Sequence, residues 1–438
     1  MPRLTKSETK KFIKQSRHSL PSPSSTPGLI PLGLSIKPAD LAAHLQTHPG
    51  FAFLDSSHAG QTLSLLAHSP SKTFTGNLFK DQQLDNALAT HQPAQSDSGI
   101  PFPDSAFIGS FDFDGTYHFG FYEKIFIFDH EKQTWWIPPT EKLSLLTAPN
   151  SPPDSPADFS LRLQPDISKN TWLKMLQRAQ EYIAAGDIYQ VCLAYPHQGR
   201  FTGNPWQLYK SWHQHSPAPH AAFINQNDRF ILSTSPECFF HLTERRLLTR
   251  PIKGTRPRHP DHNEDRRLAC ELQSSVKENA ELLMITDLER NDLGRICQFG
   301  SVEVSELIKL ETFPHVFHLV STVQGRLRDE VTPIEALRNC FPGGSISGAP
   351  KKRALEIIQE LEPTPRGLFT GAIGYFGTNG DARFNIAIRT LTLEKNSSNT
   401  SMKAEYQTGA GIVADSHPED EWAETHHKAA GLLSVLNE

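Results

Sequence analysis

The chain has 438 residues, of which 37% are hydrophobic and 21% are charged. The length predicts more than one ordinary compact core, and the composition is typical of a soluble globular protein, which excludes a largely disordered chain. The net charge of −5 argues against general nucleic-acid binding, because affinity for phosphates depends on an excess of basic residues.

The N-terminus and the cysteines indicate the cellular compartment in which the protein is expected. Residues 1–31 are basic and rich in proline and serine but have no apolar segment, so they are interpreted as a flexible tail and not as a secretory signal. No apolar run reaches the roughly 18 residues that a membrane-spanning helix needs. The five cysteines are scattered without paired spacing, which favours a reducing, cytoplasmic location over a disulfide framework or a zinc site.

Two proline-rich stretches, 19–31 and 148–159, predict linkers, because proline disfavours both helices and strand pairing. They divide the rest of the chain into an N-terminal subdomain, residues 32–150, and a catalytic domain, residues 160–438. Within the subdomain, the aromatic and glycine-punctuated segment 107–129 predicts strands and hairpins.

After the second linker, Ser168 predicts the N-cap of a helix that ends at Gly186. Further helices are predicted for 264–283, 333–339 and 350–361, and from near Ser416 onwards. Strands are predicted for 187–196, 229–242, 316–327, 366–377, 382–394 and 404–415. Strand runs separated by lone helices predict a mixed, largely antiparallel α/β sandwich.

Lys253 is a candidate nucleophile. A lysine attacks only as the free amine, and both burial and crowding by other cations depress its pKa. Arg250, Arg256 and Arg258 are close in sequence and predict such crowding. The alternative is a basic loop that attracts anions. Glu237, which follows a proline, is a candidate general acid, with an ordinary surface glutamate as the alternative.

Two pairs of glutamates, Glu278 with Glu281 and Glu421 with Glu424, each share one face of a predicted helix. Four such carboxylates would suit Mg²⁺, a hard cation. Apolar residues are predicted to lie on the sides away from these pairs: Val276, Ala280 and Leu283 in the first helix, and Trp422, Ala429 and Leu433 in the second. The alternative is that the glutamates are solvated, with Glu424 and Lys428 as a surface ion pair.

Three further features suggest an anion site. The glycine-rich residues 341–351 lead into a predicted helix N-terminus, which can bind a carboxylate or phosphate, although their spacing is not that of a Walker loop. Arg389 lies in an apolar strand, where an arginine usually has an anionic partner. Gly409 and Gly411 permit close approach of a ligand, or mark a bulge.

The order and spacing of these features resemble the chorismate-utilising enzymes over roughly residues 165–437. The strings that carry the resemblance include STSPECF, PIKGTRPR, ENAELLMITDLERNDLGR, FPGGSISGAPKKRALEII and GAGIVADSHPEDEWAETHHKA. The resemblance implies a two-layer α/β sandwich of large, mainly antiparallel sheets flanked by helices, with an active site that binds chorismate and Mg²⁺.

The resemblance also implies roles for individual residues. The implied metal ligands are Glu278, Glu281, Glu421 and Glu424. The implied substrate-binding residues are Ser345, Ser347, Gly348, Tyr375, Arg389, Gly409, Gly411 and Lys428. The implied catalytic residues are Lys253, Glu237 and His318, the last of them near the reacting ring.

Within the family, the PIKGT string around Lys253 resembles the aminating synthases of p-aminobenzoate and folate biosynthesis. Anthranilate synthases usually have alanine at this position. The implied reaction begins with attack of Lys253 on C2 of chorismate while Glu237 protonates the departing C4 hydroxyl. Ammonia from a separate glutamine amidotransferase subunit then adds at C4 and expels the lysine. Cys192 departs from the family, which usually has asparagine there.

The same sequence features leave two alternative functions open. Anthranilate synthase component I is the nearest alternative enzyme, and a chorismate-binding protein without activity is the alternative of another class. A membrane is not expected as a partner, because no apolar run is long enough to span one. A nucleic acid is not expected either, because acidic residues directly follow the basic stretch 250–260: Asp261, Glu264 and Asp265.

Overall fold

The computed structural model describes residues 29–33, 36–56, 63–91, 102–141, 159–313, 315–396 and 401–436. Nearly all of the predicted tail and of both predicted linkers lies outside these residues. In the part described, two large sheets of antiparallel strands pack against each other and are flanked by helices, which confirms the predicted fold class. None of the described helices is long and apolar enough to cross a membrane.

The larger sheet has twelve strands in the order β1-β8-β7-β3-β2-β11-β12-β21-β22-β10-β18, with β9 also paired to β10. Its strands are β1 Ile30–Leu32, β2 Ala52–Asp55, β3 Leu63–Ala67, β7 Ile125–Asp129, β8 Thr134–Ile137, β9 Phe159–Pro165, β10 Gln190–Gly203, β11 His220–Asn225, β12 Arg229–Ser235, β18 Gly348–Ala349, β21 Thr390–Lys395 and β22 Met402–Ile412.

The smaller sheet has ten strands in the order β15-β17-β14-β13-β20-β19-β5-β6-β4, with β16 also paired to β17. Its strands are β4 Lys72–Asn77, β5 Ala106–Phe111, β6 Thr116–Tyr122, β13 Cys238–Thr243, β14 Arg246–Arg250, β15 Ile252–Pro257, β16 Glu303–Thr312, β17 Val316–Arg326, β19 Ala372–Gly377 and β20 Ala382–Ile386.

The helices of the described residues are α1 Pro38–Leu45, α2 Gln83–His91, α3 Lys169–Ala184, α4 Pro205–His215, α5 His262–Ser274, α6 Val276–Gly294, α7 Pro333–Cys340, α8 Lys351–Leu361 and α9 Pro418–Leu433. The predicted N-cap of α3 is confirmed, since Ser168 Oγ accepts a hydrogen bond from Thr171 N at 3.1 Å. Short 3₁₀ turns occur at Gly344–Ile346 and Ser434–Leu436.

The predicted N-terminal subdomain contributes strands to both sheets. Strand β2 pairs with β11 of the predicted catalytic domain, and β5 pairs with β19. Apolar side chains from both segments meet between the sheets, among them Ile108, Ile127, Ile224 and Ile373. The segment 32–150 therefore shares a core with the rest of the chain.

The predicted strand 229–242 is two strands in different sheets. Strand β12 belongs to the larger sheet and β13 to the smaller one, with Pro236 and Glu237 between them. The single-strand prediction is wrong here because a hydrophobic pattern does not tell which sheet a strand joins. The chain passes from one sheet to the other at Glu237.

The predicted strand 382–394 is divided in the same way, between β20 of the smaller sheet and β21 of the larger one. Residues 387–389, which end in Arg389, connect the two. The two crossovers are adjacent, since Ser235 Oγ donates to Ile386 O at 2.6 Å and Ile386 N donates to Glu237 O at 3.1 Å. The fold thus brings Glu237 and Arg389 to one place.

The predicted helix 264–283 is also two helices, α5 and α6, separated at Ser275. The predicted apolar side of α6 is wrong, because Val276 is 84% exposed and Leu283 is 52% exposed. The buried side of α6 includes the polar residues Glu289 and Asp292, and a hydrophobic pattern does not reveal a buried polar face.

Helix α9 differs from its predicted orientation as well. Glu421 is buried on the same side as Thr425 and Ala429 and is only 3% exposed. A buried carboxylate usually has a charged or hydrogen-bonding partner. Glu421 therefore is not a solvated surface residue.

Candidate active site

A cavity of about 720 Å³ is lined by both strand crossovers, by helices α6 and α9 and by strands of both sheets. Most of the residues predicted for the site line it: Glu237, Lys253, Glu278, Glu281, His318, Ser345, Arg389, Gly409, Gly411, Glu424 and Lys428. Four predicted residues are not among its lining residues: Ser347, Gly348, Tyr375 and Glu421.

Ser347 and Gly348 lie behind the cavity wall and shape the glycine-rich loop. Ser347 Oγ donates to Gly343 O at 2.9 Å, and Cys192 N donates to Ser347 O at 2.9 Å. Gly348 has a φ of +139°, and a Cβ there would lie 2.2 Å from Gln190 O, so only glycine fits. Their direct substrate-binding role is not supported by this placement, and the loop presents Ser345 to the cavity instead.

Tyr375 lies elsewhere, contrary to the prediction. It lines a second cavity of about 590 Å³, together with Asp381 and Arg383. Sequence reasoning missed Phe369 and Thr370, which line the main cavity just before β19. They stand in the same RGLFTGAIGYFG string as Tyr375, which was the sequence signal for this region.

Lys253 lies in β15, where the pairing with β17 shifts register between Lys253 and Thr255. Its Nζ donates to Ser345 O at 3.3 Å and lies 3.9 Å from Glu281 Oε2. A Cβ on Gly411 would come 3.6 Å from the same Nζ. The amine is therefore held in the cavity wall by the loop, helix α6 and strand β22.

The predicted crowding of Lys253 by arginines is wrong. Each neighbouring arginine pairs with a carboxylate of its own: Arg250 with Glu311, Arg256 with Glu271 at 2.9 Å, and Arg258 with Asp265 at 2.8 Å. Residues that are adjacent along an extended chain point in different directions, so proximity in sequence did not give proximity of charge.

The electrostatic surroundings of Lys253 are acidic. Burial alone would lower its pKa, but interactions with Cys192, Glu281 and Glu237 outweigh burial and raise the pKa above its ordinary value. The side chain is therefore an ammonium group near pH 7.

Glu237 lies in the first crossover and is only 5% exposed. Burial raises the pKa of its carboxyl group, while the nearby Ser345 hydroxyl and the Lys253 amine act in the opposite direction. A carboxyl group that keeps its proton above its usual pH range can serve as a general acid. Glu237 and Lys253 line the same cavity.

His318 lies in β17, with Nδ1 3.0 Å from Thr255 Oγ1 and 3.3 Å from Gly254 O. Burial and the positive charge of Arg389 lower its pKa to about 4, so the ring is neutral near pH 7. Because a carbonyl oxygen only accepts, the contact with Gly254 O favours the proton on Nδ1 and leaves Nε2 as an acceptor.

Arg389, in the second crossover, has a φ of +48° that is unfavourable for a residue with a side chain. Within the described part of the chain its guanidinium group has no hydrogen bond or ion pair. Lys428 on α9, by contrast, donates to Gly409 O at 2.9 Å and pairs with Glu424. The predicted anionic partner of Arg389 is therefore not found among these residues, and the guanidinium group is available to a ligand.

Each predicted metal ligand is paired with a basic residue. The nitrogen–oxygen distances are 3.8 Å for Arg256 with Glu278, 3.9 Å for Lys253 with Glu281, 3.3 Å for Lys277 with Glu421 and 2.6 Å for Lys428 with Glu424. Among the described residues, no three His, Cys, Asp or Glu side chains are grouped closely enough to hold a metal ion as they stand. The carboxylate oxygens nevertheless are the type of ligand that Mg²⁺ prefers.

Sequence reasoning also missed Arg366, which lines the cavity and is buried. It pairs with Glu362 at 2.7 Å and donates to Ile346 O at 3.0 Å and to Cys192 O at 2.7 Å. Arg366 thereby links the glycine-rich loop to β10. No sequence pattern marked it, because an arginine at the first position of a predicted strand is usually exposed.

An amine, a proton-donating carboxyl group, a neutral imidazole and an unpaired guanidinium group in one cavity define an enzyme active site for a small, carboxylate-bearing substrate. The chorismate binding enzyme family matches residues 52–434, and the chain belongs to this family. The resemblance predicted from the sequence strings is thereby confirmed.

Similar proteins include two branches of this family. The chain is 38% identical to aminodeoxychorismate synthase component 1 of Bacillus subtilis over 73% of this chain and 70% of that protein. It is 43% identical to anthranilate synthase component 1 of Thermus thermophilus over 65% of this chain and 60% of that protein. The crystal structure of anthranilate synthase component I from Streptococcus pneumoniae has a TM-score of 0.73 at 31% identity and covers 86% of this chain and 93% of that one.

Proposed function

We propose that the chain is an aminodeoxychorismate synthase component I, which converts chorismate and ammonia into 4-amino-4-deoxychorismate for p-aminobenzoate and folate biosynthesis. The observation that carries the proposal is the Lys253 amine in the wall of the cavity, within reach of a substrate that fills it. Overall identity does not choose between the branches, since it is 38% to the aminodeoxychorismate synthase and 43%, over a shorter stretch, to the anthranilate synthase.

The cationic groups of the cavity bind and orient the two carboxylates of chorismate. Arg389 has no ion pair within the described residues, so its guanidinium group can form a bidentate pair with one carboxylate. Gly409 and Gly411 line the cavity without side chains, so the substrate can approach the backbone of β22 there. Lys428 extends the positive lining on the α9 side.

In the proposed reaction Lys253 is the nucleophile and Glu237 is the general acid. The Lys253 amine attacks C2 of chorismate, the ring double bonds shift, and the C4 hydroxyl leaves as water with the proton of Glu237. Ammonia then adds at C4 and gives up a proton to the Glu237 carboxylate, and Lys253 departs from C2 as the free amine. Because Lys253 is an ammonium group, it must lose a proton to solvent before it attacks. His318 accepts a hydrogen bond from the substrate through Nε2.

Mg²⁺ is the proposed cofactor, held by Glu278, Glu281, Glu421 and Glu424. The donor set fits a hard divalent cation, and three of the four glutamates line the same cavity as Lys253. When bound, the ion would hold a substrate carboxylate and offset negative charge. The glutamates would first have to exchange their basic partners for the ion.

The proposed source of ammonia is a separate glutamine amidotransferase subunit, as the resemblance implies. The purified chain should then use ammonium salts but not glutamine. Addition of an amidotransferase subunit should make glutamine a substrate. Turnover of glutamine by the chain alone would contradict this part of the proposal.

The deciding experiment incubates the purified chain with chorismate, Mg²⁺ and ammonium and separates the products by chromatography. The expected product is 4-amino-4-deoxychorismate, which a lyase then converts to p-aminobenzoate. Fluorescent anthranilate without aminodeoxychorismate would place the chain in the anthranilate branch. Absence of any turnover would favour a binding protein without activity.

A further inference from the structure

Lys277 connects the two helices that carry the proposed metal ligands. It is the second residue of α6, directly before Glu278, and its side chain lines the cavity. Its Nζ lies 3.3 Å from Oε1 of Glu421, which belongs to α9. The Lys277 amine thus lies between α6 and α9, where an ion shared by the glutamates of both helices would also lie.

The charge of the buried Glu421 carboxylate is compensated by this amine. Its side chain is 4% exposed, and Ser416 Oγ donates to the same Oε1 at 2.7 Å. A hydroxyl group stabilises a buried carboxylate but does not neutralise it, and an uncompensated buried charge is strongly unfavourable. Among the described residues Lys277 is the basic side chain that forms an ion pair with Glu421.

Lys277 and a divalent cation would compete for the same carboxylate oxygen. Both are positively charged, so their simultaneous presence beside Glu421 is opposed by repulsion. The side chain of Lys277 is 47% exposed, whereas that of Lys253 is 14% exposed. Lys277 can therefore withdraw into solvent, which the more enclosed lysine cannot do.

We propose that Lys277 is the built-in counter-ion of the acidic cluster, which a divalent cation must displace from Glu421, and that it thereby sets the metal affinity of the cavity. The inference rests on the proposed Mg²⁺ site and adds to it a residue that regulates its occupancy. Lys277 keeps Glu421 neutralised and in place when no metal is bound, at the cost of weaker metal binding.

A matched control is a second lysine that pairs with a glutamate of α9. Lys169 pairs with Glu419 of α9 at 2.5 Å, and both side chains are about half exposed or more, at 48% and 66%. Lys169→Met removes the same charge from the vicinity of α9 without touching the cavity. Because solvent and salt screen such a surface pair, it should have little influence on an ion in the cavity.

The experiment titrates the full chain with MgCl₂ by isothermal titration calorimetry, in the absence of chorismate, for wild type, Lys277→Met and Lys169→Met. Lys277→Met is expected to bind Mg²⁺ more tightly, on the order of fivefold, and Lys169→Met to bind like wild type. In thermal unfolding, saturating Mg²⁺ should raise the melting temperature of Lys277→Met more than that of wild type. Lys277→Gln replaces the Met variant if that one does not fold.

The outcomes separate this inference from the proposed function. If wild type binds Mg²⁺ and Lys277→Met binds it equally well or more weakly, the counter-ion role is overturned and the metal site stands. If Lys169→Met gains as much affinity for Mg²⁺ as Lys277→Met, the gain is a general effect of removing positive charge, and the inference fails. If neither wild type nor Lys277→Met binds Mg²⁺, both the metal site and the inference are overturned, whatever the products formed from chorismate.

Discussion

Lys253 Nζ lies 3.9 Å from Glu281 Oε2, so the proposed nucleophile and one proposed metal ligand form an ion pair inside the cavity. The amine is thereby oriented between helix α6 and the Ser345 carbonyl oxygen, to which it donates a hydrogen bond. The pair therefore joins the proposed nucleophile directly to the proposed metal site. Substitutions at Lys253 should therefore affect the chemical step more than the fold.

Lys253→Ala should abolish the covalent intermediate and lower amination at least about 10²-fold, because the nucleophile is lost and the other two cavity lysines, Lys277 and Lys428, are paired with Glu421 and Glu424. Mass spectrometry of the acid-quenched enzyme should show a chorismate adduct for wild type and none for the variant. Lys352→Ala, at an exposed position of α8, is the control and should keep full activity. Full activity of Lys253→Ala would show that the lysine is not the nucleophile.

Arg389→Met should raise the KM for chorismate roughly 10- to 100-fold, since a charge-assisted hydrogen bond to substrate is lost. The fold should persist, because the guanidinium group has no ion pair within the described residues to lose. Steady-state kinetics give KM and kcat separately, and kcat should change less than KM. The control is Arg353→Met, which removes an arginine paired with Asp187 at 2.8 Å on the surface. An unchanged KM for Arg389→Met would remove this residue from the substrate site.

The sequence predicted the chemical groups of the site better than their surroundings. Lys253 and Glu237 both line the cavity, as the ordered strings implied. Of the three arginines near Lys253 in sequence, only Arg256 lines the cavity, and it is paired with Glu271, because whether neighbouring side chains meet depends on partners distant in sequence. Arg258, for example, is held away by Asp265.

The two crossovers could not be predicted from periodicity. A run of alternating apolar residues predicts a strand, but the passage from one sheet to the other at Glu237 and at Arg389 depends on which strands pair. The buried polar face of α6, with Glu289 and Asp292, could not be predicted from the sequence for a related reason. A polar residue in a sequence indicates exposure unless the partner that buries it is known.

Glu289 should make stability depend on pH. Burial raises the pKa of its carboxyl group from 4.5 to about 8, against the hydrogen bond from Thr249 Oγ1. A carboxyl group with a raised pKa in the folded state stabilises the protein fully below its unfolded pKa, and this contribution is lost as the pH rises through the folded pKa. Wild type should therefore lose stability between about pH 5 and about pH 8.5.

The Glu289→Gln variant cannot ionise at this position, so its stability should fall less over the same pH range. Urea unfolding at several pH values measures the difference as a shift in the transition midpoint. Glu356→Gln, at an exposed residue paired with Arg353 at 3.0 Å, should follow wild type. Parallel pH profiles for wild type and Glu289→Gln would contradict the assignment to Glu289.

Cys192 should make the enzyme sensitive to alkylation. It is half-buried and lines the cavity, where the family usually has asparagine. Three other cysteines are buried and protected from reagents: Cys238, Cys297 and Cys340. Iodoacetamide should therefore reach Cys192 and the exposed Cys270, and only the adduct at Cys192 should block the substrate. Inactivation should be slowed by chorismate, persist in Cys270→Ser and disappear in Cys192→Ser, as measured from residual activity and from peptide masses. Inactivation of Cys192→Ser at the wild-type rate would move the sensitive thiol away from the cavity.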